Sequence, residues 1–321
     1  MRETKKNIYD DISTEILDYL TNNEIKYNLE SENKQIENKI AESFDKDKDE
    51  VEIFERFQLR VIYLLNYLEK IVQTTAKKVY ISKYLSKKIN SGELTQDVIN
   101  QIDEFKKKFE IGEDIKSNLS KGVFNSNSWD YLLNIWNIRH LHLSKSVRFE
   151  KNEMSKNRSN YLLFFVLHKD NVYFIDAKEH PKGSGFTPYK FLEILEESSW
   201  LELIGFYEME GFTNLSPNIK NDDDIYNLTK LNINTGFELK GKCYMNIGGV
   251  SSFGNKNHHT QILMKLIEEI DEIDKVLEYH KLDYVKFKLL LDKRLGIIKV
   301  KINSEEKEFS LMKLLDGVWI R

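Results

Sequence analysis

The chain has 321 residues, 40% hydrophobic and 12% aromatic, with 48 Lys and Arg against 52 Asp and Glu for a net charge of −4. That apolar share can bury a core, which excludes wholesale disorder; the lone Cys243 excludes a disulfide framework and a Cys-rich zinc site, and the acidic balance leaves room only for a local basic face. No apolar run reaches the roughly 18 residues of a membrane span, and the polar start Met1–Asp10 has no apolar signal region, so a soluble, cytoplasmic chain with no membrane partner is expected.

All seven His and all three Pro fall at or after His140, and eleven of the fourteen Gly follow residue 125. Helices disfavour Gly and Pro, so residues 1–125 read as a helical domain and 126–321 as a mixed one, giving an α+β protein with an antiparallel sheet and a long helix. Ile8, Ile12, Ile16 and Leu20 form a first apolar stripe. Phe54, Phe57, Val61, Leu64, Leu65, Leu68, Ile71 and Val72 form a longer one at helical spacing. Between them Asp45–Glu52 is a charge run that reads as a solvated linker or first helical turn. Lys77–Lys88 carries five Lys beside Tyr80 and Tyr84, which suits an ordinary exposed surface or a nucleic-acid contact face. Thr95 caps a further stripe through Val98, Ile102, Phe105 and Phe109.

From Ser126 the pattern shifts. Ser128 caps a short aromatic helix through Trp129 and Trp136. Tyr161–Leu167 and Val172–Ile175, separated by His168-Lys169-Asp170-Asn171, form the clearest hairpin. Tyr189–Trp200 reads as a helix after Pro188, and Leu201–Tyr207 and Phe237–Ile247 read as strands. His259–His280 is a long amphipathic helix. Ile297–Asn303 alternates with a period of two, and a turn at Asn303–Lys307 leads into Phe309.

The segment Arg139-His140-Leu141-His142-Leu143-Ser144 carries the most pointed chemistry. Two His at i and i+2 share a face only if the chain is extended, so the preceding helix must end by about Arg139. Imidazole, with an unperturbed pKa of about 6.5, suits proton transfer near neutrality. Arg158 precedes the first hairpin strand and His180 follows the second, so both fall at one edge of an antiparallel pair within reach of His142. Two His and an Arg supply a general base, a general acid and a phosphate clamp for metal-free RNA cleavage. Gly248, Gly249, Ser251 and Ser252 lie in a Gly-rich turn that opens the long helix, where backbone amides could cradle a phosphate. No Gly-Lys-Ser/Thr triplet follows, so nucleotide hydrolysis is not indicated.

Arg139-His140-Leu141-His142, Arg158 before Tyr161–Phe165, and Tyr173–Asp176 with His180 together resemble prokaryotic toxin or phage-defence ribonucleases of the abortive-infection type. RelE-type and EndoU-type enzymes share the nearest helix-plus-antiparallel-sheet fold. The resemblance implies metal-independent cleavage of single-stranded RNA or tRNA; no cofactor is expected, and the side-chain chemistry assigns His142 as base, His180 as acid, Arg158 as clamp and His140 and Arg139 in support. The helical part would then bind a regulatory protein or a second copy. The spacing of His after Arg139 departs from that of HEPN ribonucleases. Two other readings stay open. One is a non-enzymatic protein- or nucleic-acid-binding module. The other is a metal-dependent nuclease using Asp176 and Lys178, whose Asp-x-Lys spacing resembles the restriction-endonuclease-like fold although Tyr161–Leu167 holds no acid.

Overall fold

The computed structural model describes residues 1–43, 46–143, 160–181, 188–251, 255–290, 295–302 and 305–312. In chain order the helical start comprises α1 (Glu3–Asn22), α2 (Leu29–Glu42) and α3 (Lys48–Lys70). Next come β1 (Lys78–Ile81), α4 (Lys83–Ser91), α5 (Gln96–Ile111), α6 (Tyr131–Trp136), β2 (Ile138–His142), β3 (Tyr161–His168) and β4 (Asn171–Glu179). They are followed by α7 (Tyr189–Glu197), β5 (Phe206–Glu208), α8 (Asp222–Lys230), β6 (Gly236–Leu239) and β7 (Lys242–Asn246). The chain ends with α9 (Asn257–Tyr279), β8 (Asp283–Leu290), β9 (Leu295–Ile302) and β10 (Glu305–Met312). With helices leading into mixed and antiparallel sheets, the protein is α+β. No helix among the described residues is long and apolar enough to cross a membrane.

Two compact units form, and neither is continuous in sequence. One gathers Met1–Glu69, Phe124–Ser128 and His258–Ile320; the other gathers Lys70–Val123 and Trp129–Asn257. The compositional change near residue 125 therefore marks one crossing between units rather than a division into 1–125 and 126–321.

In the first unit the apolar stripes bury Ile8, Ile12 and Ile16 of α1, Phe57, Val61 and Leu65 of α3, and Ile262, Leu266 and Ile270 of α9. A polar knot sits inside this packing. Glu32 is fully buried and accepts from Arg60, whose other guanidinium nitrogen bonds the Ser13 carbonyl at 3.1 Å. A buried carboxylate persists only when so paired. His259 is likewise enclosed, its Nε2 2.8 Å from Glu69 and its Nδ1 3.0 Å from Asn66 Oδ1. The antiparallel sheet β10-β9-β8 meets α1 at Asp11, which accepts from the Tyr284 hydroxyl (2.6 Å) and the Phe287 amide (2.8 Å).

The second unit is built on a four-stranded sheet of order β1-β4-β3-β2. The meander β2–β3–β4 is antiparallel, while β1 pairs parallel with β4, Tyr80 opposite Tyr173. Helix α5 covers one face, with Phe109 against Phe165 and Phe174 at 5.4 and 5.8 Å. Helix α7 covers the other, with Phe191 4.8 Å from Phe164. A bulge between Phe164 and Phe165 shifts the register of β4, so Asp176 and Lys178 fall opposite Phe164 and Leu162. A second sheet, β5-β7-β6, adds Phe206 and Phe237 to the core.

Several local readings of the sequence differ from the structure, among them the cap of α6, which is Asp130 rather than Ser128. β1 lies within the stretch expected to be helical; its four residues form a strand through non-local parallel pairing. Leu201–Tyr207 is not one strand: Leu201–Ile204 winds into a 3₁₀ turn before the short β5. Phe237–Ile247 is a hairpin folded at Lys240-Gly241, where both residues take positive φ (49° and 77°), the backbone of a two-residue primed turn.

Candidate functional site

Helix α6 stops where the histidine motif needs it to stop. Asn137 adopts φ 53° as its left-handed cap, and Ile138–His142 leaves as an extended strand. Alternation then puts His140 and His142 on one face of β2, with ring centroids 6.5 Å apart, and Leu141 on the other, fully buried. Asn118 donates from Nδ2 to the His142 carbonyl at 3.2 Å and anchors the strand end.

Across the sheet His142 stands opposite Leu162, and Leu162 stands opposite Lys178. Just beyond β4, the His180 amide bonds the Asn160 carbonyl, which continues the pairing past the last strand residue. That extension holds the His180 ring 5.8 Å from the His142 ring, nearly parallel at 26°. His142 is 6% exposed, whereas His180 is exposed, with Nδ1 2.9 Å from the Pro181 carbonyl. Three imidazoles from two distant stretches thus meet at one end of the sheet.

Behind them lies a buried charge pair. Lys88, on the inward face of α4 beside Leu85, places Nζ 3.0 Å from Asp176 Oδ1 and 2.8 Å from the Ala177 carbonyl. Burial pushes the Asp176 carboxyl up from its ordinary value, against the pull of Lys88. Lys88 itself is held above its ordinary value: burial works to lower it, and the Asp176 charge and hydrogen bond prevail. Lys178 is shifted down by burial, its ammonium lying 4.6 Å from the Phe191 ring centroid and 5.3 Å from that of Phe164. A cation so placed is held against two aromatic faces and is only weakly hydrated.

No family model, curated protein or solved structure matches this chain.

The remaining expected site residues fall elsewhere. Arg139 is not with the histidines. Strand alternation turns it to the α5 side of the sheet opposite Phe165, and its guanidinium lies 3.5 Å from Asn137 Oδ1. Arg158 and Ser252 lie outside the described residues. Gly248, Gly249 and Ser251 are poorly suited to cradle a phosphate, because three amides of the turn are already engaged within the fold. The Gly248 amide bonds Asn246 Oδ1 (2.8 Å), the Val250 amide bonds Asn234 Oδ1 (3.0 Å), and the Ser251 amide bonds the Asn255 carbonyl (2.7 Å). A donor already paired inside the fold offers an anion little.

Gly249 is required by that geometry. It sits at φ 69°, and a Cβ there would lie 2.0 Å from Asn234 Oδ1. Gly249→Ala is expected to lower unfolding free energy by at least about 1–3 kcal/mol, read by urea denaturation. An unchanged midpoint would contradict a structural role for the turn.

Asp176-Ala177-Lys178 does lie at the end of a strand, as a metal nuclease would need. Its Oδ1, however, is engaged by Lys88 and by the Ala177 amide at 2.8 Å, so a divalent cation at this carboxylate would compete with the Lys88 charge. Among the described residues no three His, Cys, Asp or Glu side chains are grouped to hold a metal.

Lys88 and Lys178 are the groups that sequence reasoning under-used. Lys88 belonged to a Lys run taken as surface. The signal was its spacing three residues after Leu85, which puts it on the apolar side of α4.

Proposed function

We propose that this protein is a metal-independent ribonuclease acting as a toxin or anti-phage effector in the cytoplasm. One observation carries the reading: the 5.8 Å approach of the His142 and His180 rings at the sheet end, where His180 is exposed. A separation of that size is on the scale of two hydrogen bonds of about 2.6–3.2 Å each, as needed when one imidazole attends the attacking oxygen and the other the leaving oxygen.

His142 takes the proton from a ribose 2′-hydroxyl. The 2′-oxygen bonds to phosphorus, the bond from phosphorus to the 5′-oxygen breaks, and protonated His180 donates its proton to that oxygen. The products are a 2′,3′-cyclic phosphate and a 5′-hydroxyl end. Lys178, two residues before His180 on the same side of the sheet, supplies positive charge to the phosphoryl oxygens in the role first expected of Arg158. His140 supports the pair from the same face. The assignment of base to His142 rests on its burial and of acid to His180 on its exposure. The first unit is assigned to regulation by a protein partner or a second copy.

The test uses protein purified in chelator and incubated with mixed single-stranded RNA. Cleavage is expected to persist in chelator, to yield cyclic-phosphate ends, and to stop on a 2′-deoxy substrate. Cleavage only with added magnesium, abolished by Asp176→Asn, would move the activity to the Asp176–Lys178 centre. Absence of cleavage under either condition would leave a binding module.

A further inference from the structure

Resting on the ribonuclease reading only for the choice of polymer, we infer that single-stranded RNA lies along β1 and the outer face of α4, with a base on the Tyr80–Tyr173 pair and phosphates on Lys83 and Lys87.

Charge points there first. Residues 70–92 contain six Lys and no Asp or Glu, in a chain that averages one acid per six residues. Three of those Lys are spent inside the fold, for Lys70, Lys77 and Lys88 are buried. Lys78, Lys83 and Lys87 are exposed. On α4 the exposed side is cationic and hydrogen-bonding: Lys83, Ser86, Lys87 and Asn90 follow at helical spacing and line a shallow hollow of about 630 Å³ with Ile81 and Ser91. Two ammonium groups, a hydroxyl and an amide with no carboxylate among them match the oxygens of a phosphodiester backbone.

Aromatic rings supply what a simple polyanion would not need. β1 is an edge strand, and its Tyr80 stacks on Tyr173 across the parallel pair, with ring centroids 5.1 Å apart and planes 12° from parallel. Trp200 meets Tyr173 edge-on at 5.0 Å, and Lys78 Nζ lies 5.4 Å from the Tyr80 ring. All three rings are half-buried, so each is held by the core and keeps an accessible edge or face. Stacked rings flanked by Lys are the parts of a base-stacking platform in single-strand binders.

Continuity with the histidine site follows from the course of α4. It starts where Ser82 Oγ bonds the Ile175 carbonyl and reaches the Ala177 carbonyl through Lys88. The helix therefore runs alongside β4 towards His180, spanning about 13 Å. A strand stacked at Tyr80 and held by Lys83 and Lys87 is led to the imidazoles.

The test is fluorescence anisotropy with a labelled 12-nucleotide 2′-O-methyl RNA, which cannot undergo 2′-oxygen attack, so binding is read apart from cleavage. Tyr80→Ala is expected to weaken binding by about five- to 150-fold, and Tyr80→Phe to leave it unchanged. Lys83→Gln/Lys87→Gln is expected to reduce the slope of log affinity against log salt by about 1.4. Wild-type affinity and salt slope in both Tyr80→Ala and the double Gln variant would overturn the assignment. So would failure of the wild type to bind the oligonucleotide, or base-free polyphosphate binding as tightly as the RNA. A chain that binds RNA here but fails to cleave it retains this surface and loses the nuclease reading.

Discussion

His142→Ala is expected to slow chelator-resistant RNA cleavage by about 10²–10⁴-fold, the range for removal of a positioned general base. His142 is nearly buried, so the variant needs a folding control. Its carbonyl, not its ring, receives the Asn118 bond, and the strand pairing around it is backbone. The circular dichroism and urea midpoint of His142→Gln, which fills the same space, should therefore stay near wild type while cleavage falls as far. His180→Ala sits in an exposed position and should lose activity with smaller change in stability. Cleavage at the wild-type rate by folded His142→Gln would remove this residue from the mechanism.

The second large effect concerns stability. Lys88→Met leaves Asp176, 5% exposed, without its ammonium partner, and is expected to destabilise the protein by about 3–5 kcal/mol at pH 7. Lys88→Met/Asp176→Leu removes both charges and should recover most of that loss. The pH dependence has a definite sign. The folded carboxyl titrates above its ordinary value of 3.8, so the folded state binds more protons, and this group's contribution falls as pH rises through that window. Without Lys88 the folded value rises further, so the deficit of the variant should widen from acid towards neutral pH. The Lys88 cation is also held up in the folded state, so its contribution is present below 10.5 and is lost as pH climbs through the folded value. Wild type should show an alkaline loss that Lys88→Met lacks. Equal melting temperatures for wild type and Lys88→Met at pH 7 would show that the pair does not stabilise the fold.

Local patterns were legible in the sequence, and long-range ones were not. The stripe Ile8–Leu20 and the alternation His140-Leu141-His142 record their own burial, because 3.6- and 2-residue periods are set by the element they occupy. The meeting of His142 with His180 needs β2 paired with β3 as well as β3 with β4, and only the second pairing was legible in the sequence. Arg139 was misplaced by ignoring that same alternation, which separates neighbours in a strand. β1 has only four residues and gains its stability from a partner some 90 positions away, so nothing local announces it. The Gly248–Ser251 turn looked like an anion site because glycine spacing cannot reveal that Asn234 and Asn246 fill its amides. Lys88 shows the limit of reading charge runs as surface: one member can face inward to a carboxylate 88 positions on.

The central claim is that His142 and His180 act together on one phosphodiester. Single-turnover cleavage rates in chelator for wild type, His142→Ala, His180→Ala and the double variant test it most directly. Groups serving one transition state are strongly non-additive, so the double variant should be scarcely slower than the slower single one. Losses that multiply in the double variant, or a single variant as fast as wild type, would contradict joint action by the two imidazoles.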